Sequence, residues 1–400
     1  MPTLATTLER IGRTTIDMPG RLASVLTWPA PSGAYRRLGD PLAPGNGVRA
    51  RIESIVPESP RAATIVIHPG RGWRPHRPGQ WVSVGVEIDG VRHQRCYSIT
   101  SLPATPARLV GPGTRSADVL TITVQSVPDG IVSNHLVNDA RPGDIVHLDG
   151  PDGDFTLTEP STPMGSRRDG TGTPTDAPAR LMITGGSGIT PVIGMLRALD
   201  AGLAGAVGDV TVVHHAPSQS EMLFAHDLKV LERRHLGVEV HLIATGDGAP
   251  PPELEITARR LDELCADWRD RETWVCGPRP LVDAVSALWD DPTSLTTAPM
   301  HVERFTPTLA PDHDAVAGTV TFARSGCDAP SDGATTVLDL AESAGLTPVS
   351  GCRMGICRRC ITPLESGAVQ DLRDGGVVCE PGTHVRICVS APVGDATFDL

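Results

Sequence analysis

Short runs of Val and Ile alternate with polar positions over residues 48–56, 62–68, 80–88 and 119–127, and turns containing Gly or Pro divide them. A period of two puts the apolar side chains of each run on one face, so the runs predict strands, and their close succession predicts an antiparallel barrel. The rhythm changes near residue 179. An apolar run at 180–184 leads through GGSGITP into a helix predicted over 192–201, and further strands are predicted at 210–215, 239–244 and 273–276, with a helix beginning near Pro280. Strands alternating with helices predict a parallel α/β domain. Residues 158–178 are polar, rich in Gly and Pro and without period, which reads as a linker or insertion. The pattern divides the chain into an N-terminal arm (1–46), a strand-rich domain (47–157), the insertion, an α/β domain (179–307), a second linker (308–317) and a short mixed domain (318–400). The arm is Pro- and Gly-rich around an apolar segment at 22–28 and is expected to pack on a domain.

Bulk properties narrow the function class. A chain of 400 residues is too long for one ordinary domain. Its 42 Gly and 37 Pro favour strands and turns over a helical protein. A formal charge of -12 argues against a general nucleic-acid binder, which needs a basic surface. Nine cysteines could build a disulfide scaffold, but four of them, Cys352, Cys357, Cys360 and Cys388, form one spaced set in a long chain. Residues 1–10 lack a charged start followed by an apolar run, and no stretch approaches 18 apolar residues. The expectation is a monomeric cytoplasmic protein that does not span a membrane, with reduced thiols available to iron.

Those four cysteines carry the sharpest chemical signal. Cys352, Cys357 and Cys360 form C-x4-C-x2-C, and Cys388 follows 28 positions later. This is ligand spacing for a plant-type [2Fe–2S] cluster, with Cys352 and Cys357 on one iron and Cys360 and Cys388 on the other. Gly351 and Gly355 let the loop close tightly. A structural zinc site pairs two short cysteine knuckles and fits poorly. A redox C-x-x-C at Cys357 and Cys360 leaves Cys352 and Cys388 unexplained. Cys379 competes with Cys388 for the fourth place, and Cys388 is favoured because residues 385–389 look like a core-facing strand. Cys96, Cys265 and Cys327 read as small buried hydrophobes or inert thiols.

Two upstream segments are suggestive by chemistry alone. Arg95, Tyr97 and Ser98 offer a cation for phosphate, a ring to cover a planar ring and a hydroxyl donor. Gly130 to Leu136 reads as a helix start whose free N–H groups, with Ser133, suit a pyrophosphate. Taken together, R-x-Y-S-x-T (Arg95 to Thr100), G-x-x-S-x-x-L (Gly130 to Leu136) and GDxVxLxGPxGxF (Gly143 to Phe155) resemble the flavin domain of the ferredoxin–NADP reductase superfamily. The resemblance implies FAD in a six-stranded antiparallel barrel, with Arg95 and Ser133 on the diphosphate, Tyr97 against the ring and ribityl chain, and Ser98 near flavin N5.

The loop Gly185-Gly186-Ser187-Gly188-Ile189-Thr190-Pro191 follows a strand and opens a helix, which suits close approach to a pyrophosphate. It resembles the GG-T/S-G-x-T-P loop of the same superfamily, and Cys276-Gly277-Pro278 resembles its CGP motif. The resemblance places Cys276 near the nicotinamide and lets the ring pass Gly277 toward the flavin. Ser218 and Ser220, helped by Arg259 or Arg260, are the candidates for a 2′-phosphate, so NADPH is favoured over NADH. Glu303-Arg304-Phe305 resembles the E-x-F ending of reductases with a ferredoxin domain, with Phe305 over the flavin and Glu303 at its edge.

From VEIDGVRHQRCYSIT to SGCRMGICRRC and CVSAPVGDATFDL, the chain resembles actinobacterial flavin reductases with a C-terminal ferredoxin domain, a β-grasp [2Fe–2S] module. That implies electron flow from NADPH to FAD to the cluster, and then to a redox partner, a membrane di-iron fatty-acyl desaturase or alkane hydroxylase that would hold the protein at the membrane periphery. The runner-up is the reductase component of a soluble Rieske or di-iron oxygenase acting on steroid or aromatic substrates; a non-catalytic redox sensor comes third. Arg353, Arg358 and Arg359 are expected to form a basic rim at the cluster that receives partner carboxylates.

Overall fold

The computed structural model describes residues 40, 42, 47–103, 119–128, 130–157, 167–168, 174–175, 178–246, 256–305 and 315–400. The predicted arm, apart from residues 40 and 42, most of the 158–178 insertion and most of the 308–317 linker lie outside them.

The first sheet contains β1 (Val48–Ser59), β2 (Ala62–Pro69), β3 (Trp81–Ile88), β4 (Val91–Ser98), β5 (Leu120–Gln125) and β6 (Ile145–Asp152). Its order is β4-β3-β6-β1-β2-β5, antiparallel throughout. The period-two pattern explains the packing: Ile65 and Ile67, Val82, Val84 and Val86, and Leu120, Ile122 and Val124 all enter one core. Asp89 and Gly90 make the two-residue turn between β3 and β4, both with positive φ (51° and 78°), as a hairpin matched to strand twist requires. A single bridge, Ile99 with Ile122, joins the end of β4 to β5 at the far end of the sheet path. Helix α1 (Ile131–Asn134) runs into a wider turn at His135–Asp139 and sends Val132 and Leu136 into the same core. A two-residue pair, β7 (Arg167–Arg168) with β8 (Pro174–Thr175), precedes the second sheet.

The second sheet is parallel and five-stranded. It contains β9 (Arg180–Gly185), β10 (Val210–Ala216), β11 (Val238–Ala244), β12 (Glu272–Cys276) and β13 (Met300–Glu303), in the order β11-β10-β9-β12-β13. Residues from α2 (Ile189–Asp200) and α3 (Ala225–Arg234) fill one core, and residues from α4 (Ala258–Leu264) and α5 (Arg279–Asp290) fill another. With both faces covered, the strands read as continuous apolar runs. The strand order reverses direction between β9 and β12, and ligands of open α/β sheets bind at the carboxyl ends of strands flanking such a point. Helix α2 starts three residues before its predicted start, because Pro191 is tolerated in a first turn.

The third sheet holds β14 (Gly318–Phe322), β15 (Cys327–Ser331), β16 (Ile361–Asp371), β17 (Val377–Val378), β18 (His384–Arg386) and β19 (Ser390–Phe398), with α6 (Val337–Ser343) packed into its core. Thr336 caps α6 by accepting the Asp339 N–H at 3.2 Å. The strand expected over 385–389 ends at Arg386. The Val389 N–H donates to the Arg386 carbonyl at 3.0 Å, so Cys388 sits in a turn between β18 and β19. Among the described residues, no helix is long and apolar enough to cross a membrane.

The first two sheets are tightly joined. A Cβ at Gly194 of α2 would stand 2.6 Å from the Ile99 carbonyl oxygen, and Arg197 donates to the Thr100 carbonyl at 2.8 Å. Trp274 donates its indole N–H to the Thr156 carbonyl at 3.2 Å.

Candidate electron-transfer site

The GGSGITP loop and the CGP segment meet at the strand-order reversal. A Cβ at Gly188 would lie 2.2 Å from the Cys276 carbonyl oxygen, and one at Gly185 would lie 2.7 Å from Pro278 Cδ. Gly277 is equally confined, 2.9 Å from the Gly185 nitrogen by the same construction. The glycines therefore serve backbone-to-backbone contact between two loops, and Gly186 turns with φ of 54°. The Thr190 hydroxyl donates to the Ser187 carbonyl at 2.9 Å and closes the loop. Cys276 is fully buried and its thiol is pushed well up by burial, so it is a packing and shaping residue here, with no accessible thiolate.

A cavity of about 830 Å³ lies where the three sheets approach. Its wall includes Trp81, Arg95, Cys96 and Ser98 from β3 and β4, Asp152 to Phe155 at the end of β6, His301 to Phe305 at β13, and Cys352, Met354, Ile356 and Arg373 from the third domain. Of the residues expected at a flavin, it brings together Arg95, Ser98, Glu303 and Phe305. Tyr97 is half-buried against the core of the first sheet, and burial pushes its hydroxyl up. Thr100 pairs its hydroxyl with that of Thr121 at 2.8 Å, and Ser133 donates to the Gly130 carbonyl at 3.2 Å. Phe155 closes the third flavin motif, whereas Trp81, Met354 and Arg373 were missed from sequence, because no spacing links positions so far apart.

Two polar atoms on this wall lack partners. Ser98 Oγ and Glu303 Oε2 are buried without a hydrogen bond. Burial raises the Glu303 carboxyl to about 8, so it is mostly protonated at neutral pH. The folded value lies above the ordinary 4.5, so the folded state holds this proton more tightly than the unfolded chain does. Its contribution to stability is complete below about pH 4.5 and is lost as pH rises through about 8. The melting temperature of ligand-free wild type should therefore fall more from pH 5 to about 9 than that of Glu303→Gln; equal slopes would contradict the buried carboxyl.

The cysteines fall into two pairs. The Cys352 N–H donates to Cys357 Sγ at 3.2 Å and the Cys357 N–H to Cys352 Sγ at 3.3 Å, while the Cys360 and Cys388 sulfurs lie 3.1 Å apart. Cys379 is exposed, whereas Cys360 and Cys388 are both buried. Contact within each pair pushes one thiol down, Cys352 and Cys360, and its partner up, Cys357 and Cys388, as two sulfurs sharing one proton do. A Cβ at Gly351 would come within 2.7 Å of Cys357 Sγ. Two sulfur pairs, bare glycine and backbone N–H groups aimed at sulfur fit a two-iron cluster better than one tetrahedral ion. Cys96 lies on the cavity wall with Cys352, and contact with Cys352 together with burial raises its thiol.

The basic rim needs correction. Arg353 pairs with Glu342 and, at 3.3 Å, with Asp339, while Arg359 crosses to the first domain and pairs with Asp149. Only Arg358 of the three is exposed, because the other two satisfy carboxylates of this chain.

Along the same carboxyl edge of the second sheet, just beyond β10, the Ser218 and Ser220 hydroxyls lie 3.0 Å apart. Arg259 and Arg260 pair with Glu263 on α4, and the Arg260 charge reaches His215, whose pKa is lowered mainly by burial. Glu221 is held by Arg61, which keeps that carboxylate from a free ribose hydroxyl.

Three family models match the chain: an oxidoreductase FAD-binding domain over residues 75–157, an oxidoreductase NAD-binding domain over 182–287, and a 2Fe-2S iron-sulfur cluster binding domain over 320–393. A Mycobacterium tuberculosis protein named NADPH oxidoreductase is 36% identical over 381 residues, covering 95% of this chain and 91% of the relative. The glycine betaine monooxygenase reductase subunit of Pseudomonas aeruginosa is 28% identical over 353 residues, 81% of this chain and 87% of the relative. The solved structure of phthalate dioxygenase reductase superimposes with a TM-score of 0.55 at 22% identity, covering 88% of this chain and 97% of that one, a likeness of fold. With the cavity shared by all three domains, these matches show that the chain belongs to the ferredoxin–NADP reductase type of flavin reductases with a C-terminal [2Fe–2S] ferredoxin domain, and that it is an electron-transfer oxidoreductase using NAD(P)H, FAD and that cluster.

Proposed function

We propose that the protein is the reductase component of an oxygenase system, taking electron pairs from NADPH and delivering single electrons to a separate oxygenase. The observation that carries this reading is the cavity at which flavin-domain strands, the end of β13 and the cysteine loop share one wall. The oxygenase assignment follows relatives such as the glycine betaine monooxygenase reductase subunit. A desaturase or alkane-hydroxylase acceptor draws no support from that relative's name, and the NADPH oxidoreductase name specifies no acceptor. In this reading the domains are 47–157, 179–307 and 318–400, and the first sheet works as a barrel, supported by the Ile99–Ile122 bridge.

FAD, when bound, exchanges electrons in pairs with a dinucleotide and singly with a [2Fe–2S] cluster. The chain's task is to hold, orient and keep dry. Arg95, with Gly130 and Ser133 at the start of α1, would bind the diphosphate, and Ser98 Oγ, now without a partner, would donate to the ring edge. Tyr97 and Phe305 would cover ring faces and exclude water. Glu303 keeps its proton beside Cys276, its register partner across β12 and β13. Gly185, Gly188, Gly277 and Pro278 shape the dinucleotide cleft, with Thr190 and Pro191 fixing the loop. Cys352 with Cys357, and Cys360 with Cys388, would hold the two irons.

NADPH is preferred in this reading because Ser218, Ser220 and Arg260 stand at the sheet's carboxyl end while Glu221 is already paired. Arg260→Ala is expected to lower the NADPH-over-NADH ratio of kcat/KM about tenfold, and an unchanged ratio would remove Arg260 from the site. The acceptor is tested by steady-state NADPH oxidation with a reconstituted partner. Product formation with a Rieske or di-iron oxygenase supports the reading; turnover with a membrane desaturase and none with oxygenases overturns it.

A further inference from the structure

The two domain junctions of this chain are built differently. The flavin and nicotinamide domains meet through backbone contact at Gly194 and a shared apolar core that includes Ala62, Phe155 and Met195. The ferredoxin domain instead reaches the flavin domain at its cysteine loop, where Cys352 touches Cys96 of β4 and a charged contact lies beside it. Arg359, the residue before Cys360, donates from Nε to Asp149 Oδ2 at 3.0 Å and from Nη1 to Gln94 Oε1 at 3.0 Å, with Nη2 on the same carboxylate. Gln94 is on β4, two residues from Cys96 and four from Ser98, both on the cavity wall. One guanidinium thus fixes the cysteine loop to the strand that carries the flavin motif. Its partner is open to water, with the Asp149 side chain 58% exposed.

We propose that Arg359 is a positioning residue, a salt-sensitive latch on Asp149 and Gln94 that docks the cluster loop against the flavin cavity and lets go to present the cluster to an outside acceptor. A charge-assisted fork gives geometry as well as attraction, so it holds the loop in one pose. An exposed ion pair is also weak and screened by salt, so the pose is reversible. Backbone packing at the other junction offers no such release. The proposal rests on the electron path given above.

The test uses the intact holoprotein and the variants Asp149→Asn, Arg359→Gln and the exchange Asp149→Arg with Arg359→Asp. Asp149→Asn leaves the cysteine loop untouched, so a misfolded cluster does not confound it. Ferricyanide reports electrons leaving the flavin, cytochrome c reports those leaving the cluster, and small-angle scattering reports docking without turnover. The latch predicts that cytochrome c turnover at low salt falls about five- to tenfold in each single variant, with KM for NADPH and ferricyanide turnover unchanged, and recovers in the exchange. It also predicts that the radius of gyration of wild type rises with salt toward the value Asp149→Asn shows at low salt. Wild-type cytochrome c rates and scattering in Asp149→Asn would overturn the latch, as would equal loss of ferricyanide turnover. Failure of wild type itself to reduce cytochrome c would overturn the electron path, while scattering would still judge the latch.

Discussion

Cys388→Ser is expected to abolish cluster-dependent reduction of cytochrome c, by at least about 100-fold, while NADPH-driven ferricyanide turnover stays within about twofold of wild type. The sulfur of Cys388 is buried 3.1 Å from that of Cys360, and serine cannot supply the thiolate. Cys388 is not among the residues lining the shared cavity, so the first half of the path should persist. Cys379→Ser is the control: Cys379 is exposed, and its loss should leave the visible spectrum and both activities unchanged. Loss of the spectrum in Cys379→Ser with retention in Cys388→Ser would reverse the ligand assignment.

Gly188→Ala is expected to lower NADPH kcat/KM about 100-fold, since a cleft misplaced by an ångström costs that order of rate. The new Cβ would lie 2.2 Å from the Cys276 carbonyl oxygen and 2.7 Å from Gly277 Cα, backbone that cannot rotate aside. Either the loop or the CGP segment must move. Gly186→Ala offers a graded comparison. Its Cβ meets only Gln125 Oε1 at 3.7 Å, so its cost is the left-handed φ alone, about 1 kcal/mol. Steady-state kinetics with NADPH and thermal melts of both variants check this; equal effects would mean that the Gly188 contact is not the constraint.

These glycines show what a sequence discloses. GGSGITP and CGP were recognisable as motifs, but their mutual contact was not, because residues about ninety apart meet only after β9 and β12 pair. The cysteine run was legible from spacing, since three of its four ligands are written within one loop and need little tertiary information. The strand period fixed the first sheet's core face, yet the turn around Cys388 was misread because Val385 to Val389 carry β-branched residues in a segment that hydrogen bonding bends. Arg353 and Arg359 read as free basic charge because no periodicity ties them to their partners, Glu342 on α6 and Asp149 on β6, which only the tertiary fold brings close. The acceptor was least legible: it is met outside the chain, and the motifs describe only the path within.

That path is tested most directly by mixing the anaerobic holoprotein with one equivalent of NADPH and recording the low-temperature electron paramagnetic resonance spectrum. The account predicts the signal of a reduced [2Fe–2S] cluster in wild type and its loss in Cys388→Ser. Bleaching of the flavin absorbance in wild type with no cluster signal would contradict it.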